Sequence, residues 1–497
     1  LYTLDILIKE LGGCGRFQVI LLLLGYLPIL PGSWGISIMM FGKYNPGWTC
    51  QGDTCNVSEF TSQLCSCDEM KTFRNWTFNN AASTIITEWS LVCDDSWKSS
   101  LIASVQMTGV LLGAYAGGQI GDMFGRKFSI HGSCALMVVA NVVAIFSVSW
   151  QMYAVLMFFI GLFVGCILAT CNVYNFEFLP SWWRGFVIML PIWSLSTSIF
   201  ALCAMALKNW RHLHGAIAFV ALLAFLPVFW LPESMRFLAV HGHLKKANKV
   251  VKKIARLHKR PVPDTSIMEA IANIESRSLK AGASYTYLHL FHRNVRKYTL
   301  VLGYGWFVLA LSQYMIGFGL SALSGDFFVN MLLYFALPFP VRLVAVFIVT
   351  RFGRKLAACL LFLLSSVFSF VIVVVQLVAS EDSKGSPTAV LAIGINMLTE
   401  GAWGATVIFG NELFPTDVRT LSYGFCSAAA RLAAIIAPHL VPKHSLPMYA
   451  AFIIQALLQL TSFAAYLTLP ETKGKPLQEN LIRQSVGIKQ HVASNNI

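Results

Sequence analysis

The chain has 497 residues, of which 56% are hydrophobic and only 12% charged, and its mean hydropathy is +0.64. Soluble globular domains carry about 25% charged residues, so this composition argues against a soluble enzyme, a nucleic-acid-binding protein and a disordered scaffold. The net charge of +14 does not indicate a nucleic-acid partner, because the basic residues are concentrated in one segment. The composition is typical of a chain that uses lipid as its solvent.

Apolar segments long enough to cross a bilayer, which takes about 20 residues, recur along the chain. A first group of predicted helices covers residues 17–39, 99–121, 128–149, 152–175, 186–207 and 211–231. A second group covers residues 298–322, 327–349, 356–379, 388–410, 420–440 and 447–469. We therefore predict an all-α membrane protein with twelve transmembrane helices, in which bundles 17–231 and 298–469 are flanked by segment 1–16 and tail 470–497. The first apolar segment is a full span with no cleavage site after it, so we expect no cleaved signal peptide.

Two long polar segments interrupt the helices and carry opposite net charge. Residues 42–97 contain three basic and seven acidic side chains, whereas residues 232–297 contain 14 basic and four acidic ones. Cytoplasmic loops hold the excess of lysine and arginine, which predicts that 232–297 lies inside the cell and 42–97 outside. Five predicted helices separate the two segments, and an odd number places them on opposite sides. Both termini are then cytoplasmic, and we expect a location in the plasma membrane.

The chemistry of the predicted outer loop agrees with this orientation. Asn56 and Asn75 each begin a glycosylation sequon, which is usable only on the lumenal side. An exported loop is oxidising, so its cysteines are disulfide candidates and a metal site at the Cys-x-Cys pair is disfavoured. These cysteines are Cys50, Cys55, Cys65, Cys67 and Cys93. Their connectivity stays open, because two bridges leave one cysteine over.

Three short motifs occur once in each half of the chain, in the same order. The pairs are Asp122-Met-Phe-Gly-Arg-Lys127 with Thr350-Arg-Phe-Gly-Arg-Lys355, Glu177-x-x-Pro-x-x-x-Arg184 with Glu412-x-x-Pro-x-x-x-Arg419, and Leu231-Pro-Glu-Ser234 with Leu469-Pro-Glu-Thr472. Their offsets of 228, 235 and 238 positions are nearly constant. We therefore predict a duplicated six-helix unit with both copies in the same orientation, an arrangement typical of rocking transporters.

Several of these strings resemble known carriers. Gly118-x-x-x-Asp122-x-x-Gly125-Arg126-Lys127 resembles the motif between helices 2 and 3 of the major facilitator superfamily, and it departs from that motif at Met123, where a basic residue is usual. Residues 12–18, the stretch 83–89 with the Cys-Asp pair that follows it, and residues 232–238 resemble the organic cation, anion and zwitterion solute carriers of that superfamily. The resemblance implies a major facilitator fold of two parallel, pseudo-symmetric six-helix bundles that works by alternating access.

Opposite charges cluster at the predicted cytoplasmic ends of the helices. We interpret them as a latch that holds the inner gate shut and breaks when the two halves rock. The latch candidates are Asp122, Arg126, Glu177, Arg184, Glu233 and Arg236, with Arg354, Glu412, Arg419 and Glu471 in the second half. The alternative is that these residues only anchor the topology of the chain.

Ionisable residues inside predicted spans are costly and usually mark a substrate or ion pathway. Arg431 lies in the middle of predicted helix 11, Arg342 lies in predicted helix 8 behind two prolines, and Glu400 lies near the middle of predicted helix 10. Arginine stays charged in proteins, so a buried arginine needs an anionic partner, and a substrate carboxylate, sulfate or phosphate can serve. The alternative is that Glu400 neutralises one arginine in a buried pair with a structural role only.

The resemblance indicates which substrate charge to expect. In the resembled family, the position of Arg431 is acidic in cation carriers and arginine in anion and carnitine carriers, while that of Arg342 is lysine in anion carriers and not basic in carnitine carriers. Two cationic groups therefore favour anions. Tyr314 and Trp193 match aromatic positions of the family, and Trp306, Phe318 and Trp403 are further candidates for lining the site. Ring faces suit flat, aromatic organic anions.

Two other patterns predict local packing. Gly109, Gly113, Gly117 and Gly121 form a stripe along predicted helix 2 that indicates close helix packing. The basic segment 245–256 has helical spacing, and we expect a membrane-surface helix that touches anionic lipid.

These observations predict a secondary active or facilitative transporter of small organic anions, and the resemblance also implies exchange against an intracellular dicarboxylate. Three alternatives stay open: a carnitine or zwitterion carrier with Glu400 at the ammonium, a cation carrier that uses Glu400, and a transporter-like receptor that does not cycle. Glu400 can also take up a proton for coupling. We expect neither an enzyme nor a cofactor or metal site, because the sequence has no nucleophile–base arrangement, nucleotide loop or metal-ligand set. The expected partners are the substrate and membrane lipid, in a monomer or weak homo-oligomer.

Overall fold

The computed structural model describes residues 4–50, 76–79, 81–180, 183–184, 187, 190–263, 268–270, 272–273, 286–441 and 447–474. Eleven of its helices are long and apolar enough to cross a membrane, and Ile192–Leu207 is a shorter apolar helix at the remaining predicted position. The twelve are α1 (Arg16–Gly42), α2 (Ser96–Phe124), α3 (Arg126–Ile145), α4 (Trp150–Phe176), α5 (Ile192–Leu207), α6 (Trp210–Phe225), α7 (Arg296–Phe318), α8 (Phe327–Phe352), α9 (Arg354–Val378), α10 (Glu381–Leu413), α11 (Thr416–Ile436) and α12 (Met448–Leu467). The prediction of an all-α membrane fold with twelve helices is confirmed.

Prolines account for the main departures from the predicted boundaries. Helix α1 consists of Arg16–Gly25 and Ile29–Gly42, with Pro28 at the break, and α8 consists of Phe327–Ala336 and Pro338–Phe352. Proline has no backbone N–H, so it sits best in the first turn of each second piece. Helix α5 is described from Ile192, after Pro191, and its predicted start at 186 lies outside the described residues. Helix α10 begins at Glu381 rather than 388 and contains Pro387.

Shorter elements lie between the spans. The helices Leu4–Glu10, Met235–Val240 and Leu244–Leu257 pack together in a separate small core that includes Leu7, Leu238 and Val251. The other short helices are Ile85–Trp89 and the 3-10 turns Cys93–Asp95, Leu226–Phe229, Tyr287–Phe291, Leu320–Ala322 and Ala437–His439. Two strands, β1 (Trp48–Cys50) and β2 (Trp76–Phe78), form an antiparallel pair within the predicted outer loop.

Helices α2 and α4 approach each other closely enough that their backbones touch. A Cβ atom added at Gly109, Gly113 or Gly117 would collide with the α4 backbone at Phe158, Leu162 or Cys166 respectively. Helix α4 also places glycines at this contact, because a Cβ at Gly161 or Gly165 would overlap the α2 backbone. The glycine stripe therefore serves close helix packing, as predicted.

The two halves of the molecule meet at the end where α3 joins α4, which we call the sealed end. Tyr44 of the N-terminal half stacks on Phe327 of α8 with ring centroids 4.0 Å apart. Ser104 on α2 donates to the carbonyl of Ile435 at 2.7 Å, and Ser100 donates to that of Pro438 at 2.9 Å. The opposite end, where α2 joins α3 and α8 joins α9, carries most of the charged motifs, and we call it the charged end.

Candidate functional site

The intramembrane charges gather in the C-terminal half, where α8 and α10 bring two of them together. Arg342 Nη1 lies 2.5 Å from Glu400 Oε1, and the two side chains are 22% and 6% exposed. The other carboxylate oxygen of Glu400 accepts a 3.3 Å hydrogen bond from Gln313 Nε2 on α7. Arg342 lies one turn after the break in α8, within the helical piece Pro338–Phe352, and its side chain reaches Glu400 on α10. The geometry therefore matches the alternative in which Glu400 neutralises one arginine, and that arginine is Arg342.

Arg431 on α11 is not neutralised in this way. Its Nη1 donates to the hydroxyl of Tyr314 at 3.3 Å, and its Nε is buried with no hydrogen-bond partner among the described residues. None of the ion pairs formed within the described ranges includes Arg431. Among the described residues, this half-buried guanidinium thus makes one side-chain hydrogen bond, to a tyrosine hydroxyl, which leaves most of its donors for another group.

Two residues that sequence reasoning missed connect these charges to the aromatic side chains. Gln313 accepts from Trp403 Nε1 at 3.2 Å through the oxygen of the same amide that binds Glu400. Tyr334 fixes that turn of α7, because its hydroxyl donates to the Gln313 carbonyl at 2.8 Å. Sequence reasoning missed Gln313 because its amide is uncharged, and ionisable residues are the ones that are conspicuous in an apolar sequence. Its position next to Tyr314 was the available signal.

Aromatic side chains surround this polar group. Trp306 contacts both Trp403 and Tyr423 edge to face, with ring centroids 5.0 and 5.2 Å apart. Tyr314 stacks on Phe318 at 5.9 Å. The structure thus brings Trp306, Trp403, Tyr314 and Phe318 into ring contacts near the charges, and it adds Tyr423, which the sequence did not single out.

Trp193 lies apart from this cluster, on α5 of the N-terminal half. It packs half-buried against the larger core of the molecule, which joins the N-terminal half to α7 and α8. Tyr314 borders that same core and also the core of the C-terminal half. Tyr314 therefore lies where the two cores approach each other, and Trp193 is the one predicted aromatic residue on the N-terminal side.

The charged end of the N-terminal half is organised around Arg126, the first residue of α3. Its guanidinium contacts Asp122 at 2.8 Å and Glu177 at 3.4 Å. Glu233 Oε1 accepts from the backbone N–H groups of Arg126 and Lys127 at 3.0 and 3.2 Å. A carboxylate at the start of a helix satisfies donors that otherwise lack partners and stabilises the helix dipole.

The second half repeats this arrangement around Arg354, the first residue of α9. Its guanidinium binds Glu412 Oε1 at 2.9 and 3.1 Å, and Glu471 accepts from the backbone N–H groups of Arg354 and Lys355 at 3.1 and 3.2 Å. Gly125 and Gly353 precede the two arginines with φ of 108° and 113°. A side chain there is strained, and its Cβ would also collide with the carboxylate.

The remaining latch candidates cap helix ends. Arg184 Nε donates to the carbonyls of Phe176 and Leu179, at the end of α4, and Arg419 donates to that of Phe414, after α10. Arg236 has a partner as well. The ion pairs of the two arginine-centred networks each join residues of the same half of the molecule. The motif residues therefore meet as two parallel networks in this conformation.

Burial and hydrogen bonding act oppositely on two carboxylates of these networks, both outside the spans. Burial raises the pKa of Glu177, against the opposing effect of nearby Arg126. Burial also acts to raise the pKa of Glu471, but backbone N–H donors, among them those of Lys473 and Arg354, outweigh it and hold that pKa below its ordinary value. The folded protein thus disfavours the charged form of Glu177 and stabilises the charged form of Glu471.

Part of the predicted outer loop lies outside the described residues. This applies to Asn56 and Asn75 and to Cys55, Cys65 and Cys67. Cys50 ends β1, Cys93 begins a 3-10 turn before α2, and the pairing of these cysteines stays a prediction. The seven cysteines in or beside the helices are free thiols. Across the described ranges, no group of three or more His, Cys, Asp or Glu residues is placed to hold a metal ion.

Comparison with known proteins gives consistent matches along the chain. The family described as "Sugar (and other) transporter" matches residues 57–481. Organic cation/carnitine transporter 2 of Rattus norvegicus is 28% identical over 423 residues, which cover 84% of this chain and 75% of that protein. Organic anion transporter 3 of Mus musculus is 25% identical over 411 residues, which cover 82% and 76%. The xylose transporter XylE from E. coli, in a partially occluded inward open conformation, superimposes with a TM-score of 0.66 at 14% identity, covering 93% of this chain and 100% of that one.

These matches confirm the predicted resemblance and fold. The similarity to the XylE structure supports the fold and nothing about function, because the sequence identity is only 14%. The two relatives differ in the substrate that their names give, so sequence similarity leaves the charge of the substrate open, and the residues of the site must decide it.

Proposed function

The chain belongs to the family of sugar and other transporters, and we propose that it carries small organic anions across the plasma membrane by rocking its two six-helix bundles around a central site. It is a multi-pass membrane transporter and not an enzyme.

The observation that carries the anion assignment is the environment of Arg431. Glu400 is bound to Arg342, so it does not neutralise Arg431, whose partner is a neutral phenol. A permanent cation inside a membrane span is costly unless an anion accompanies it. A carboxylate or sulfate that enters the site can bind the guanidinium through two parallel hydrogen bonds.

The aromatic cluster supports a substrate with a flat hydrophobic body. Trp306, Trp403 and Tyr423 present ring edges and faces next to the charged group, and Tyr314 binds Arg431 while stacking on Phe318. Aromatic surfaces give contact area without strict shape requirements, and a few fixed polar groups orient the ligand. An aromatic carboxylate fits both parts of this arrangement.

Arg342 has a different role in the proposal. Its charge is balanced by Glu400, so a substrate with one anionic group needs only Arg431. A second anionic group, as in a dicarboxylate, can displace Glu400 from Arg342 and use both arginines. This supports exchange of a monoanion against a dicarboxylate, which the resemblance also implies.

The sealed end supports alternating access. We propose that residues 232–297 and both termini are cytoplasmic, which places the sealed end outside and makes this conformation inward-facing. The two networks at the charged end would then contact each other only when the halves rock to the outward-facing state. Oxidised cysteines and glycans in the loop 42–97 follow from the same orientation.

A carnitine or zwitterion carrier is the second candidate, favoured by the name of the rat relative and by one contact. The Oε2 atom of Glu400 accepts a long hydrogen bond of 3.3 Å from Gln313, so a substrate ammonium can approach it while a carboxylate binds Arg431. A carrier of purely cationic substrates is disfavoured, because Arg342 and Arg431 would repel a positive charge.

Uptake by expressing cells distinguishes these candidates. The probes are a labelled aromatic carboxylate, a quaternary ammonium and carnitine, each with and without preloaded dicarboxylate. We expect carboxylate uptake that preloading stimulates, a loss of at least about tenfold in Arg431→Gln because a charged hydrogen bond to the substrate disappears, and partial retention in Arg431→Lys. Surface biotinylation controls for expression. Uptake of carnitine alone would select the second candidate, and no uptake by protein present at the surface would favour the receptor alternative.

A further inference from the structure

The segment between the two bundles contains a strongly basic helix, Leu244–Leu257, whose apolar side is already covered. Val250, Val251 and Ile254 are buried in the small core, against side chains such as Leu7 of the N-terminal helix. His258 ties the helix to the start of α1, because its Nδ1 binds the Leu11 carbonyl at 2.6 Å and its Nε2 accepts from a backbone N–H of α1. A helix that lays its apolar side on the membrane is therefore excluded.

The opposite side of this helix is uniformly cationic and exposed. The exposed basic side chains are Lys245, Lys246, Lys249, Lys252, Lys253 and Arg256, followed by Lys259 and Arg260. The sequence has no acidic residue between positions 245 and 260. Such a density of like charge is unfavourable in isolation and indicates a polyanionic partner.

One contact fixes where this face lies relative to the bilayer. Lys253 Nζ donates to the Trp230 carbonyl at 3.0 Å, just beyond α6. Phe229 and Trp230 are 72% and 63% exposed there, and exposed aromatic side chains at the end of a span mark the depth of the lipid headgroups. Lys253 is therefore held at headgroup level.

Helical geometry divides the basic side chains into two rows. With about 100° between successive residues, Lys246 and Lys249 project within about 40° of Lys253, Arg256 projects about 60° away and is left unchanged in every variant, and Lys245 and Lys252 project about 80–100° away. Leu257, one turn after Lys253 on the same side, is 45% exposed. The first row and this leucine thus face the same surface as the exposed aromatic residues, and the second row does not.

We propose that the row Lys246, Lys249 and Lys253 binds the phosphate headgroups of anionic phospholipids in the leaflet at the charged end. Lysine ammonium groups supply the point charges, and Leu257 contacts the acyl boundary beside them. Through His258 and the small core, the bound lipid holds the N-terminal half in the bilayer while the C-terminal half moves. This site is separate from the substrate site, and its test does not depend on transport.

Binding of phosphatidylserine to the purified full-length protein tests the proposal, with native mass spectrometry as the readout and phosphatidylcholine as the reference lipid. The variant Lys249→Gln/Lys253→Gln removes two charges from the first row. The matched control, Lys245→Gln/Lys252→Gln, removes two charges from the second row of the same helix. Each lysine near an anionic surface contributes about 1 kcal/mol, so we expect the first variant to lose about 30-fold in affinity for phosphatidylserine and the control less than threefold.

Three further results complete the test. Lys249→Arg/Lys253→Arg retains the charges, and we expect it to bind as the unchanged protein does. All variants should melt within about 2 °C of the unchanged protein without added lipid, because the altered side chains are exposed and the hydrogen bond lost from Lys253 to the Trp230 carbonyl is itself exposed to solvent. Equal losses in the two glutamine variants, no loss in either, or equally tight binding of soluble glycerophosphoserine would overturn the proposal, since each removes the link between this row and a lipid surface.

Discussion

At the scale of single residues, the central result is which arginine Glu400 binds. The sequence shows Arg342, Arg431 and Glu400 well inside the predicted spans, and spacing along the chain does not say how they pair. In the folded protein the glutamate lies against Arg342, and Arg431 contacts Tyr314 instead. The pair lowers the cost of one buried charge, and the proposed function assigns the other to an anionic substrate.

The pairing predicts non-additive stability effects. We expect Arg342→Met and Glu400→Gln each to lower the melting temperature in detergent, because each leaves a buried group unpaired, and the double variant to lose less than the sum. The coupling should correspond to about 1–3 kcal/mol. The control cycle combines Glu400→Gln with Arg431→Met, which are not in contact and should be additive. Additivity in the first cycle would contradict the observed pair.

The two carboxylates with opposite pKa shifts predict opposite responses to pH. The lowered pKa of Glu471 means that its charged form stabilises the fold above its unfolded value of 4.5, a contribution lost as pH falls through the folded pKa. Glu471→Gln should therefore lower the melting temperature at pH 7, with the difference narrowing as the pH falls below 4.5. The raised pKa of Glu177 means the reverse, so the folded state gains stability as pH falls through that pKa. Glu177→Gln should leave the melting temperature at pH 7 unchanged or raised, and a large loss there would contradict the assignment.

At the scale of elements, glycine allows the backbones of two helices to touch. The stripe on α2 brings its backbone directly against that of α4, and the α4 glycines complete the contact. Without water in the bilayer, such backbone contact replaces the hydrophobic effect as the source of helix association.

A matched pair of substitutions on α2 tests this contact. A Cβ at Gly113 would overlap the Leu162 carbonyl, whereas no atom of the described residues lies within 4 Å of a Cβ at Gly118. We expect Gly113→Ala to lower the melting temperature and surface expression markedly, because both backbones would have to separate. Gly118→Ala should be neutral or slightly stabilising, since alanine favours helix over glycine by about 1 kcal/mol. Equal effects of the two changes would exclude the packing role.

At the scale of the whole molecule, the two halves touch at one end and carry their charged networks at the other. Tyr44 on Phe327 and the serine contacts of α2 form the seal, and each network lies within its own half. In the proposed alternating-access cycle, rocking would break the aromatic and serine contacts, and each network would move with its own bundle.

Weakening the seal should shift the population of conformations. Ser104 is buried at the seal, so Ser104→Cys in intact cells should react slowly with a membrane-impermeant maleimide. Adding Tyr44→Ala removes the ring stack, and we expect at least about tenfold faster labelling, because about 1.4 kcal/mol shifts an equilibrium tenfold and aromatic pairs contribute that much. Tyr115→Ala, which alters an exposed tyrosine elsewhere, serves as the control. Unchanged labelling with Tyr44→Ala would exclude an outward-facing seal at this position.

The amino-acid sequence was enough to predict the membrane class, the twelve helices, the duplication and the glycine stripe, because a bilayer sets the length of each span and repeated motifs can be read directly from the sequence. It also identified both arginines, Glu400 and the motif residues, since ionisable groups are conspicuous in an apolar chain. Three features required the folded structure: Glu400 binds Arg342, Gln313 and Tyr423 join the candidate site, and the basic helix turns its apolar side to the protein. These outcomes depend on which helix faces approach one another, and the position of a residue along one helix carries no information about its neighbour on another.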